Sequence, residues 1–167
     1  MRVAILTISD AASRGEREDA SGAVAAEWAA ARGDDVTARA LVPDDTVAIV
    51  RQLVAWCDDD SADLVLTTGG TGLSPRDVTP EATRAVIERD AIGIAERLRI
   101  ETGADVARAA LSRGIAGVRS RTLIVNLPGS PRAVRECLDV LSPIATHAIN
   151  VLRGAATDHS PATGDAK

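Results

Sequence analysis

The sequence has no Phe and no Tyr, two Trp and a single Met in 167 residues. With so few aromatic rings there is no platform on which the bases of a single strand could stack. Basic clusters are missing too and the formal net charge is -5, so nucleic acid is not expected as a partner. No run reaches the ~18 apolar residues of a membrane-spanning helix. The opening stretch from Met1 to Thr7 meets Ser9-Asp10 too soon for a signal peptide, and the expectation is a cytoplasmic protein without membrane contact. Cysteine and histidine are scarce, two of each. Cys57 and Cys137 lie far apart within helical patterns and are read as buried free thiols of a reducing compartment. No closely spaced Cys/His cluster is present to hold a metal through soft ligands.

What is present is concentrated in residues 63–80. Leu64, Val65 and Leu66 form a short apolar run suited to a buried strand, and the run stops where three of the four residues 69–72 are glycine. Gly69, Gly70 and Gly72 can expose backbone N–H groups with no side chain in the way, the chemistry of an anion-binding nest. Thr67, Thr68, Thr71 and Ser74 add hydroxyl donors, and Arg76 and Asp77 follow with one fixed cation and one carboxylate. An acid beside an anion nest repels the ligand unless a divalent cation lies between, so Asp77 points to a magnesium-bound polyphosphate. No lysine follows the glycines, which separates the loop from a Walker A motif. The bland alternative is a tight strand-to-helix turn with Thr79 as N-cap and Pro80 at the first helical position.

Val3 to Ile8 reads as a first buried strand ending in Ser9-Asp10. The polar stretch from Ala11 to Ala20 is a long loop, and Ser21-Gly22 is expected to cap a helix reaching about Arg32. Trp28 on that helix reads as core or subunit contact. Val36 to Val42 is an edge strand, followed by a helix capped by Asp45 or Thr46 and running to Cys57. Asp44 has two readings, a turn residue beside the cap or a second carboxylate at the edge that holds Asp77, and the residues alone favour the turn. Asp58, Asp59 and Asp60 read as a solvated run. Past the glycine loop, helices are expected over residues 81–88 with Ala82, Ala85 and Val86 inward, over about 92–101, and over 104–111. Arg113 could brace a subunit contact or meet phosphate. Arg121 to Leu127 is a late strand, ending in a rigid turn from Asn126 to Pro131. A helix from Arg132 to about Leu152 follows, divided by Pro143. Residues 154–167 read as a disordered tail.

The alternation of strands and helices predicts one α/β domain over residues 1–153, a three-layer αβα sandwich with a mainly parallel central sheet. Right-handed crossovers bring Ser9-Asp10, Asp44, the glycine loop and the Asn126 turn to one edge, where such sheets bind ligands.

The stretches Leu6 to Asp10, Pro43-Asp44-Asp45, Leu64 to Pro80, Leu111-Ser112-Arg113 and Asn126 to Pro131 together closely resemble the molybdopterin adenylyltransferases of molybdenum-cofactor biosynthesis, the family of the amino-terminal domain of gephyrin. The resemblance covers residues 1–153. It implies transfer of AMP from ATP to the terminal phosphate of molybdopterin with release of pyrophosphate, magnesium as the cofactor, a homotrimer, and handover to a separate molybdate-inserting protein. It implies Asp77, Asp44 and Arg76 as catalytic residues, with both aspartates on the metal. Thr68, Gly69, Gly70, Thr71, Gly72, Ser9 and Asp10 would bind the nucleotide, and Ser112, Asn126, Gly129 and Ser130 the pterin. Other tasks on this fold are a non-catalytic pterin-binding or scaffold role and nucleotide hydrolysis.

Overall fold

The computed structural model describes residues 1–104 and 106–155. Six strands form one sheet: β1 (Arg2–Ile8), β2 (Asp35–Val42), β3 (Leu64–Thr68), β4 (Arg89–Asp90), β5 (Ala116–Arg119) and β6 (Thr122–Leu127). Their order is β2-β1-β3-β6-β5-β4. The first four in that order run parallel, and β5 and β4 add antiparallel at the far edge. The helices are α1 (Asp10–Ser13), α2 (Ala20–Ala31), α3 (Thr46–Asp58), α4 (Thr79–Arg84), α5 (Ile92–Gly103) and α6 (Pro131–Arg153), with a 3-10 turn over Ala107–Leu111.

Successive strand residues point to opposite faces, and the two faces have separate cores. Val3, Ile5, Leu64, Leu66, Leu123 and Val125 pack under α2, α5 and α6. Ala4, Leu6, Ile8, Val65 and Ile124 pack under α3 and α4. β1, β3 and β6 are therefore apolar on both sides, as buried parallel strands are, and the three layers follow. β2 alternates exposed and half-buried residues along its whole length because it has a neighbour on one side only.

Several local expectations are corrected. The stretch after β1 is not wholly loop: Ser9 caps the single turn of α1, its hydroxyl accepting from Ala12 N at 3.2 Å. α2 is capped by Asp19, not by Ser21-Gly22, through a bond from Gly22 N to Asp19 Oδ1 of 2.8 Å. A Cβ at Gly22 would lie 2.5 Å from Thr7 Oγ1, so glycine there lets the helix pass close to β1. Asp45 caps α3 as one of the two candidates. Thr79 is the first residue of α4, not its cap, and Ala85 is exposed while Ala82 and Val86 are buried. β4 and β5 went unread, since a pair of charged residues and an Ala-Gly-Val-Arg run carry no strand pattern.

Pro143 does not divide α6, which runs unbroken through it. The proline lies on the exposed side, while Leu138, Leu141, Ala145 and Ile149 continue one buried stripe past it. Packing of that stripe holds the helix together where one backbone bond is missing. The aspartates at the end of α3 are exposed, as a solvated run should be, and two of them also carry ion pairs. Asp58 receives both Arg119 Nε at 2.7 Å and Nη2 at 2.9 Å, and Asp60 pairs with Arg153. The expected tail lies outside the described residues from position 156 onward; Gly154, at φ 69°, is the left-handed C-cap of α6.

Candidate active site

The strand order places the carboxyl ends of β2, β1, β3 and β6 side by side, so their four turns form one continuous edge. Asp44 follows β2 and Asp10 follows β1. They are joined reciprocally: Asp10 N donates to Asp44 Oδ2 at 2.8 Å, and Asp44 N donates to Asp10 Oδ1 at 3.0 Å. The glycine loop follows β3. At φ 95°, Gly69 sits where a Cβ would be 2.2 Å from Ile8 O, and only glycine allows β1 and the loop to meet so closely. Its N–H donates to Leu127 O at 3.2 Å, and Gly129 in the turn after β6 packs against Gly69 Cα.

The expected residues divide into two patches that share the glycine loop. On one side lies a cleft of about 600 Å³, whose lining includes Gly70, Thr71, Gly72, Asp77, Ser112, Asn126, Gly129 and Ser130. α5 and α6 complete it with Leu98, Arg99, Arg132 and Cys137. On the other side are Ser9, Asp10, Asp44 and Arg76. Arg76 reaches back to Asp10, with Nε and Nη2 donating at 3.0 and 2.7 Å. Those bonds, with that from Asp44 N, hold the Asp10 carboxyl below its ordinary range. Asp44 behaves in the opposite way. Burial is the main cause that pushes its carboxyl up, and the nearby charges of Asp10 and Asp77 add to it, while the Asp10 N–H and Arg76 oppose the rise.

Asp77 stands at the seam between the patches. Its Oδ2 accepts Ser74 N at 2.8 Å, and a Cβ on Gly72 would lie 2.9 Å from that oxygen. The carboxylate is thereby held close to the glycine backbone. Asp44 Oδ1 approaches the same loop, 3.1 Å from where a Cβ on Gly70 would be. Among the described residues no group of three or more His, Cys, Asp or Glu is arranged to enclose a metal. Two carboxylates facing one glycine loop fit a cation that takes its other ligands from water and substrate phosphates, which is how magnesium usually binds.

Other expected residues have work within the fold. Thr68 Oγ1 shares a buried 2.9 Å bond with Ser21 Oγ, so its side chain faces α2. Asn126 donates both amide hydrogens, to Thr67 Oγ1 and Thr83 Oγ1 at 2.9 Å, and accepts from Ile115 N at 3.2 Å. Thr79, instead of capping α4, donates to Gly69 O at 2.9 Å. Ser130 caps α6, accepting from Ala133 N at 3.2 Å, and sets the amino end of a 23-residue helix at the cleft. Cys137 lines the cleft but burial pushes its thiol up to about 11, as it does Cys57, so both stay protonated at neutral pH. Both are buried and free.

The sequence does not show what two groups in the site face. α5 forms one wall, and its Leu98 and Arg99 were legible as helix without any sign of what they face. Arg113, for which the sequence offers a subunit contact or a phosphate contact, binds the glycine loop of its own chain.

Such a fold and edge define an α/β protein whose turns at the carboxyl ends of parallel strands form a ligand-binding edge. Residues 4–147 match the family model described as a probable molybdopterin binding domain. A molybdopterin adenylyltransferase of Helicobacter pylori is 37% identical over 156 residues, covering 92% of this chain and 89% of that one. The molybdenum cofactor synthesis protein cinnamon of Drosophila melanogaster is 38% identical over 149 residues; the match covers 89% of this chain and 25% of the longer protein. Among solved structures, a molybdopterin biosynthesis enzyme of Thermus thermophilus superposes with a TM-score of 0.87 at 48% identity, covering 92% and 96% of the two chains. The chain belongs to the molybdopterin-binding family of molybdenum-cofactor biosynthesis proteins.

Proposed function

We propose that the protein transfers the adenylyl group of ATP to the terminal phosphate of molybdopterin. An oxygen of that phosphate attacks the α-phosphorus, a new phosphoanhydride bond forms, and the bond to the β-phosphate breaks to release pyrophosphate. Two polyanions must share a small space, so alignment and neutralisation of charge are the main tasks of the protein. The backbone N–H groups of Gly70 and Gly72 would hold the nucleotide phosphates. The amino end of α6, with Gly129 and Ser130, would hold the pterin phosphate at the opposite side of the seam. Asp77 and Asp44 would hold magnesium, which when bound neutralises charge on the polyphosphate. Arg76, drawn here onto Asp10, is placed to exchange that partner for phosphate. The single observation that carries the reading is the position of Asp77, fixed on Gly72 where the glycine loop enters the cleft.

The assay is pyrophosphate release from ATP and magnesium, with and without molybdopterin. Release that depends on the pterin, together with an adenylated pterin product, is expected. Cleavage that proceeds equally without pterin, or yields ADP, would make the protein a nucleotide hydrolase; pterin binding without any turnover would leave a scaffold.

A cytoplasmic location belongs to the same reading; among the described residues no helix is long and apolar enough to cross a membrane. A homotrimer is part of the same proposal. The supporting surface is not the two tryptophans: Trp28 packs on one core with its Nε1 donating to Ser142 Oγ at 2.8 Å, and Trp56, on α3, packs against the other. It is α5, where Ile92 and Ile100 are 60% and 72% exposed, eight positions apart on one helix, with Leu111 nearby at 55%. The adenylated product would pass to a separate molybdate-inserting protein.

A further inference from the structure

Arg113 enters the site from the segment between the 3-10 turn and β5, and it does not point at the cleft's contents. Its Nε donates to Gly72 O at 2.7 Å and its Nη2 donates to Asp77 O at 2.6 Å. The two carbonyls bracket the turn that carries Asp77. Within the turn, Asp77 N donates to Ser74 O at 2.9 Å while Ser74 N is held by the Asp77 carboxylate. Glu81, from the first turn of α4, pairs with Nη1 and receives Nη2 at 3.4 Å. The backbone joins in, with Arg113 N donating to Thr71 O at 2.8 Å. One planar cation thus grips both ends of a six-residue turn and is itself held by a carboxylate, a fixed fork that a flexible ammonium cannot reproduce.

We propose that Arg113, oriented by Glu81, is a positioning residue: it clamps the turn 72–77 so that the free carboxylate oxygen of Asp77 faces the metal and nucleotide. The inference rests on the adenylyl-transfer reading for what Asp77 does, and on hydrogen-bond geometry alone for the clamp. The guanidinium has a second effect. It engages two carbonyl oxygens whose negative ends would otherwise contribute to repelling a polyphosphate. Leu73 and Ser74, exposed at the tip of the turn, have no packing that could replace the grip.

The test compares wild type, R113M, R113K and E81Q by two measurements. The first is hydrogen exchange at the amides of residues 72–77. The second is calorimetric binding of magnesium-ATP, repeated with manganese and followed by electron paramagnetic resonance, neither of which needs pterin turnover. R113M is expected to exchange about tenfold faster at Ser74 and Asp77 and to bind magnesium-ATP about tenfold more weakly, the scale typical for losing an outer partner of a metal ligand. R113K should stay close to R113M, and E81Q should show the same changes to a smaller extent. Unchanged exchange and affinity in R113M would overturn the proposal, as would wild-type behaviour in R113K, which would show that charge without the fork suffices. A role in stability alone would lower the melting temperature and leave the affinity of the folded protein untouched. If R113M does not fold, E81Q decides by the same two readings. If wild type binds no magnesium-ATP, the adenylyl-transfer reading falls, and exchange at the turn still decides whether Arg113 is the clamp.

Discussion

Replacing Asp77 by Asn keeps the size and the acceptor oxygen for Ser74 N while removing the charge, so the turn should persist and the metal should not. Turnover of D77N is expected to fall about a hundredfold, equivalent to about 2.7 kcal/mol of transition-state stabilisation. Molybdopterin affinity should stay within about twofold of wild type, since the groups assigned to it lie across the seam; near-normal turnover would sink the metal assignment. Asp44 makes a different prediction because burial raises its carboxyl from the ordinary value of 3.8. A raised pKa means that the fold favours the neutral acid, so the stabilisation is complete below the unfolded value and is lost as the pH climbs through the folded one. At neutral pH the ionised Asp44 is thus a cost to stability. D44N should melt at a higher temperature than wild type at pH 7, with the gap closing as the pH falls toward 4, and turn over more slowly. Thermal melts across that range check the sign, and a D44N protein less stable at pH 7 would mean that the bond to Asp10 N needs the full charge. Of the two readings of Asp44 the residues alone preferred the turn, and the structure shows both, with one carboxylate oxygen on Asp10 N and the other toward Gly70. Arg113 was harder to read, because its partners are backbone carbonyls more than 30 positions away.

At the level of elements, α6 offers the plainest experiment. Pro143 lacks an N–H and is exposed within a helix that stays regular around it. P143A should restore one backbone hydrogen bond and relieve the ring, raising stability by up to about 3 kcal/mol in denaturant titrations without touching the cleft. A loss of stability would show that the proline sets a bend which packing requires. Elements buried on both faces were legible because apolar runs such as Leu64 to Leu66 have few other uses, and α3 was legible from its cap and periodicity. β4, with two exposed charged residues, was not. Its pairing is dictated by β5, whose own neighbour is β6, so no local pattern announces it. The cap of α2 shows the same limit on a smaller scale, since Asp19 also accepts from Thr7 Oγ1 at 2.9 Å and its role depends on where β1 lies.

For the molecule as a whole, the exposed face of α5 predicts assembly. Light scattering at micromolar protein should give about three times 17.3 kDa, and I100E should shift the mass toward a single chain. A single-chain mass for wild type would remove the trimer. The sequence disclosed that four polar turns share an edge through alternation of strands and helices and the handedness of crossovers. It could not disclose the cleft, which is made where α5, α6 and the glycine loop meet.

At the opposite end of the strands, Arg2 and Arg153 form ion pairs with the same oxygen of Asp63, at 2.8 and 2.6 Å, and the amino group of Met1 pairs with Asp34 at 2.9 Å. Residues 2 and 153 are thus fastened together on the side of the sheet away from Asp77. A chain that enters and leaves through one doorway, far from its chemistry, can be spliced into a longer polypeptide as a cassette with its reactive mouth left open. Relatives in which this unit occupies a quarter of the length have an architecture that such a doorway permits.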